Sequence, residues 1–166
     1  AHPHRDDAKH GHGIALIHNG IIENYAALKT FLTERGHSFT SDTDTEVLTH
    51  LISELYDGDL EQAVQAALRE VTGAYAIAVV CAEEPDVLVI ARKGSPLMVG
   101  VGKDEYIVAS DQAAIVAHTT QAFTLEDYTV ARLSRESFRT TTIDNVPITP
   151  QAVSYTHLTL PTIVSV

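Results

Sequence analysis

The sequence runs to 166 residues with a formal net charge of −11, 45% hydrophobic and 20% charged residues, and one cysteine, Cys81. That length suffices for one domain with a sizeable core, and the acidity argues against nucleic acid or an anionic membrane as partner, since both need basic surface. A lone cysteine rules out a disulfide within the chain and fits a reducing, cytoplasmic setting, and no apolar run reaches the ~18 residues of a membrane span.

Residues 1–13 are rich in histidine, with His2, His4, His10 and His12 in two His-x-His pairs. Such tracts bind metal through neutral imidazole. No Cys or carboxylate completes a closed site at zinc-like spacing, so a polar loop is expected, with no metal and no cofactor. Residues 14–18 are apolar and rich in β-branched types, which predicts a strand, and Asn19-Gly20 ends it. Asn-Gly is a tight-turn signal because both residues tolerate positive φ. At the end of a central strand such a turn displays functional groups. The Asn19 carboxamide and the Gly20 backbone N–H then form two neutral donors aimed at one point, as an oxyanion hole requires.

A helix is predicted over 24–35, with Tyr25, Leu28, Phe31 and Leu32 on one face and Gly36 as its stop. Residues 38–40 read as a short strand. Thr43-x-x-Glu46 is a capping box for a helix to about Tyr56, whose buried stripe is Val47, Leu48, Leu51, Ile52 and Leu55. Asp44 falls in its first turn, where a carboxylate gains ~0.3–1 kcal/mol from the helix dipole and can also pair with a ligand ammonium. Leu60, Ala63, Val64, Ala67, Leu68 and Val71 mark the next helix.

From Gly73 the hydrophobic period changes to two. Strands are expected over 74–83, 87–93, 97–101 and 105–109, with turns at Pro85-Asp86, Gly94-Ser95-Pro96 and Gly102-Lys103-Asp104. Cys81 shares a face with Tyr75, Ile77 and Val79, as a small buried hydrophobe rather than a nucleophile. Ser110-Asp111 opens a helix to about Thr119, and strands follow near 123–125, 128–133 and 138–143. Periodicity supports an α+β fold, mainly antiparallel. Residues 145–166 contain no Asp, Glu, Lys or Arg, and this tail reads as translated read-through rather than native sequence.

Several short motifs occur in a telling order: Ala1-His2-Pro3-His4, His18-Asn19-Gly20, Ser41-Asp42-Thr43-Asp44-Thr45-Glu46, Gly73-Ala74-Tyr75-Ala76, Arg92-Lys93-Gly94-Ser95-Pro96-Leu97 and Ala109-Ser110-Asp111. Together they resemble the glutaminase domain of the glutamine–fructose-6-phosphate aminotransferase (isomerizing) family, over residues 1–144. The resemblance implies a four-layer αββα sandwich of the N-terminal-nucleophile hydrolase type, incomplete at its N-terminus. It assigns Asn19 and Gly20 to the oxyanion hole, and His2 and Asp44 to the glutamine pocket, with Asp44 gripping the substrate's α-amino group. In that family an N-terminal cysteine attacks glutamine, its own amine serving as base. The ammonia released passes to a second domain, where it aminates fructose 6-phosphate to glucosamine 6-phosphate in a homodimeric enzyme. That cysteine and the arginine loop holding the glutamine carboxylate lie upstream of Ala1 in the family. The chain, with Met98 its only methionine, therefore reads as a fragment that is inactive alone. The alternatives are another class II amidotransferase, a glutamine-binding domain without catalysis, or a histidine-rich metal module.

Overall fold

The computed structural model describes residues 3–6, 11–148 and 152–154. Two antiparallel sheets stack face to face. One has seven strands: β1 (His4–Arg5), β2 (Ile14–Ile22), β3 (Gly73–Cys81), β4 (Glu84–Lys93), β8 (Thr129–Ser134), β9 (Phe138–Thr142) and β10 (Pro147–Ile148), adjacent in that order. The other orders β11 (Ala152–Ser154), β7 (Gln121–Thr124), β5 (Met98–Val101) and β6 (Tyr106–Ala109). Helices α1 (Tyr25–Glu34), α2 (Asp44–Leu55) and α3 (Leu60–Arg69) cover the large sheet, and the short α4 (Gln112–Val116) covers the small one.

The period-two pattern builds these layers directly. On β3, Tyr75, Ile77, Val79 and Cys81 face the helices, joining Ile14, Leu16 and Ile22 of β2 and Val89 and Ala91 of β4 in the largest core. The alternate residues Ala76, Ile90, Ala131 and Leu133 face the other way, onto Val99, Phe123 and Leu125. Met98 and Ala122 turn outward onto Ile115 of α4. Strands heavy in apolar residues on both faces are what a sheet buried between two layers requires. The order of layers is helix, sheet, sheet, helix. No helix among the described residues is long and apolar enough to cross a membrane.

Several local expectations need correction. Asn19-Gly20 is not a turn: β2 runs through it to Ile22, paired Asn19 with Ala76 and Gly20 with Tyr75. Gly20 does take positive φ (+118°), but Gly73, two residues before Tyr75 on the opposite strand, also does (+125°). The backbones meet closely there, and the irregularity is absorbed inside the ladder. Residues 38–40 form no strand, because the N–H groups of Thr40 and Ser41 donate to the Glu46 carboxylate instead of to a neighbouring strand. For the same reason the capping box is half made: the Thr43 hydroxyl accepts from Glu46 N–H, while the Glu46 side chain reaches past the cap to 40 and 41. The turn between β3 and β4 is at Ala82-Glu83, and Pro85 lies within β4. Leu55 is 36% exposed rather than part of the stripe. Helix α2 is instead buried nearly all round, taking Thr45, Glu46, Thr49, His50 and Ser53 inward as well.

Candidate active site

Short β1 pairs with Ala15 and Leu16 of β2. Beyond that point residues 17–22 have β3 on one side, and among the described residues the first turn of α2 comes against the other. The Asp44 carboxylate accepts the Ile22 N–H through Oδ2 at 2.8 Å. The Thr45 hydroxyl lies 3.2 Å from Nδ1 of His18, both side chains being buried. A third tie comes from Asn24, whose carboxamide donates to Glu70 C=O and accepts from Thr72 N–H, so the chain leaving β2 is stitched to the loop entering β3.

The segment 41–46 is built to place that turn. Thr43 caps the helix through its hydroxyl. Glu46 is 3% exposed and gathers the backbone N–H groups of Thr40 and Ser41 and both their hydroxyls. Burial pushes its carboxyl up, but the hydrogen bonds from Ser41 and Thr40 together outweigh this and hold it below the usual range. Behind it His50 and His37 meet through their Nδ1 atoms at 2.9 Å, and His37 Nε2 lies 2.8 Å from Glu54. This polar packing ties α2 to the segment that links it to α1.

On the opposite face of β2 a cleft of about 340 Å³ opens between the two sheets. Its walls are Ile17 and Asn19 of β2, Ala76 and Ala78 of β3, Leu97, and the stretch from Val108 to Asp111. Ile17 is 48% exposed here. The Asn19 carboxamide is exposed on the wall and makes no hydrogen bond among the described residues, so its donors are available to a ligand. The loop bearing Leu97 is shaped by Arg92, whose guanidinium donates to Ser95 C=O and Leu125 C=O at 2.8 and 2.7 Å. Asp127 completes it by accepting Gly94 N–H at 2.8 Å.

Among the predicted site residues, Asn19, Gly20 and Asp44 thus meet at one end of β2: Asn19 on the cleft, and Asp44 bonded to the backbone two residues past Gly20. Asp44 does not line the cleft itself. His2 lies outside the described residues, as does His10 of the histidine tract; His12 lies 2.8 Å from Glu83. Sequence reading missed Thr45, Glu46 and Arg92 as organisers of the site. Thr45 could have been suspected from a hydroxyl beside Asp44 in a first turn, but its partner His18, 27 residues earlier, leaves no local trace. Cys81 is buried and its thiol donates to His12 C=O.

The model of a glutamine amidotransferase domain matches residues 4–117. The glutamine–fructose-6-phosphate aminotransferase (isomerizing) of Chlorobaculum tepidum is 52% identical over 150 residues, which is 88% of this chain and 24% of that protein. Its counterpart from Symbiobacterium thermophilum is 46% identical over 92% of this chain and 25% of its own length. The chain spans about a quarter of these curated relatives. Among solved structures, the glutamine phosphoribosylpyrophosphate amidotransferase of B. subtilis superposes with a TM-score of 0.71 at 28% identity, covering 85% of this chain and 31% of that one. The sandwich is therefore that of the N-terminal-nucleophile amidotransferases.

Proposed function

The chain belongs to the glutamine amidotransferase domain family, and from that premise we propose that it is the glutaminase part of an enzyme that takes ammonia from glutamine and delivers it to fructose 6-phosphate, giving glutamate and glucosamine 6-phosphate. The observation that carries the reading is the end of β2, where an uncommitted Asn19 carboxamide faces an open cleft and a helix-start carboxylate, Asp44, is bonded to the strand at Ile22, two residues past Gly20. Hydrolysis of a carboxamide passes through a tetrahedral oxyanion, and donors fixed before the reaction stabilise it most. Asn19 and Gly20 take that role. Asp44, with Oδ2 held by Ile22 N–H, pairs with the α-ammonium of glutamine through Oδ1, and the family resemblance assigns His2 to the glutamine pocket. Relatives of the sugar-phosphate enzyme, matched at 46–52% identity, favour fructose 6-phosphate as acceptor over phosphoribosyl pyrophosphate.

On this reading residues 1–144 are the glutaminase unit of a longer, cytoplasmic, homodimeric protein without nucleic-acid or membrane partners, and the uncharged segment 145–166 stands outside it. The described part of that segment adds an edge strand to each sheet, β10 and β11. Residues 1–166 alone do not turn over glutamine, because the sole cysteine is buried away from the cleft. Glutamate release by this purified polypeptide would contradict that. The acceptor is tested by supplying the full-length protein with glutamine and either fructose 6-phosphate or phosphoribosyl pyrophosphate. Glucosamine 6-phosphate is the expected product. Glutamine consumption that responds only to phosphoribosyl pyrophosphate would place the chain in the other branch of the family.

A further inference from the structure

We propose that Thr45 is a positioning residue, which holds the Asp44 carboxylate and the strand carrying Asn19-Gly20 in one fixed relation. The proposal rests on the reading of Asp44 as the partner of the glutamine ammonium. Its basis is a continuous set of contacts. Oγ1 of Thr45 lies 3.2 Å from His18 Nδ1 and 3.5 Å from Asp44 Oδ1. The other carboxylate oxygen accepts Ile22 N–H at 2.8 Å. The first turn of α2 thus grips β2 at 18 and at 22, on either side of Asn19-Gly20.

The chemistry of the partners sets the direction of the chain. An ionised carboxylate only accepts, so the Thr45 hydroxyl donates to Asp44 Oδ1 and accepts from His18 Nδ1–H. This direction requires the His18 tautomer with its proton on Nδ1. Thr45 and His18 are 5% and 6% exposed, and a buried hydroxyl with partners on both sides has one orientation. Both Asp44 oxygens are then constrained, Oδ2 by the strand and Oδ1 by Thr45. The lone pair left on Oδ1 points where the helix start allows. Removing the hydroxyl leaves Oδ1 without its partner and weakens recognition of the ammonium, while the Ile22 N–H bond to Oδ2 keeps helix and strand together.

The test compares the full-length wild-type protein with Thr45→Val and Thr45→Ser, measuring amide hydrolysis of glutamine and of its analogue lacking the α-amino group. Thr45→Val should reduce the preference for glutamine over the analogue by about tenfold, through a higher KM for glutamine, and Thr45→Ser should restore it. Equal losses on both substrates would make Thr45 a packing residue only and overturn the proposal, as would an unchanged preference. A wild-type protein with no preference for glutamine over the analogue would instead defeat the ammonium role of Asp44. Should Thr45→Val fail to fold, the nitrogen chemical shifts of His18 in the wild-type protein decide. A protonated Nδ1 is expected, and a bare Nδ1 would mean that Thr45 donates to His18 and cannot hold Asp44.

Discussion

A methyl group on Gly20 would sit 2.2 Å from the carbonyl oxygen of Ala74 and 2.8 Å from its carbon, at a φ of +118°. Both obstacles are backbone, so no side-chain movement relieves them. Gly20→Ala should destabilise the protein by roughly 3 kcal/mol or more, and an unchanged urea midpoint would contradict the close approach. Glu46 makes a pH-dependent contribution. Its carboxyl is held below the usual range in the folded state, so its stabilisation is complete above the ordinary glutamate value near ~4.3 and is lost as pH falls through the lowered value. Glu46→Gln should cost about 1–3 kcal/mol at pH 7, with the gap closing below about pH 4; a constant gap across that range would contradict the sign. Tyr75, 1% exposed, has a hydroxyl without a hydrogen-bond partner among the described residues, and burial pushes its ionisation up. Removing an unsatisfied hydroxyl is close to neutral or favourable. Tyr75→Phe should leave the melting temperature unchanged or higher, and a clear fall would reveal a partner for that oxygen.

The elements of this fold were legible in the sequence wherever one rule governed them. The stripe of α3 proved buried at Leu60, Ala63, Val64, Ala67 and Leu68, with Val71 buried just past the helix end, because an amphipathic helix on a sheet needs nothing else. The two faces of β3 were legible for the same reason. Long-range polar partners were not. The segment 38–40 has a strand's composition, yet Glu46 claims its backbone donors, and Asn19-Gly20 has a turn's composition, yet a second glycine on the facing strand keeps it in the ladder. A further pair of this kind joins α3 to β9, where Arg139 donates through Nε and Nη2 to the two Glu61 oxygens at 3.0 Å each. The Glu61 side chain is 5% exposed and that of Arg139 54%. The two truncations should therefore be unequal. Arg139→Ala leaves a buried carboxylate unpaired and should cost roughly 1–3 kcal/mol, whereas Glu61→Ala leaves a guanidinium that water can reach and should cost less. Equal losses in chemical denaturation would contradict this.

At the scale of the whole molecule, the two sheets and their helices serve one end of one strand. The large core fixes β2 and β3, α2 is driven onto them by burial on almost every side, and a cleft lined by Ile17, Asn19 and Val108 to Asp111 remains between the sheets. The order of layers could be read from hydrophobic period together with the family resemblance; the cleft could not, because it depends on how one sheet lies over another. The central claim is that Asn19 stabilises the oxyanion formed when glutamine is attacked. The most direct measurement is glutamate release by the full-length protein at saturating glutamine, wild type against Asn19→Ala. A fall in kcat of ~10²–10³ with little change in KM is predicted. A variant that turns over glutamine at the wild-type rate would contradict the claim and move the oxyanion donors elsewhere.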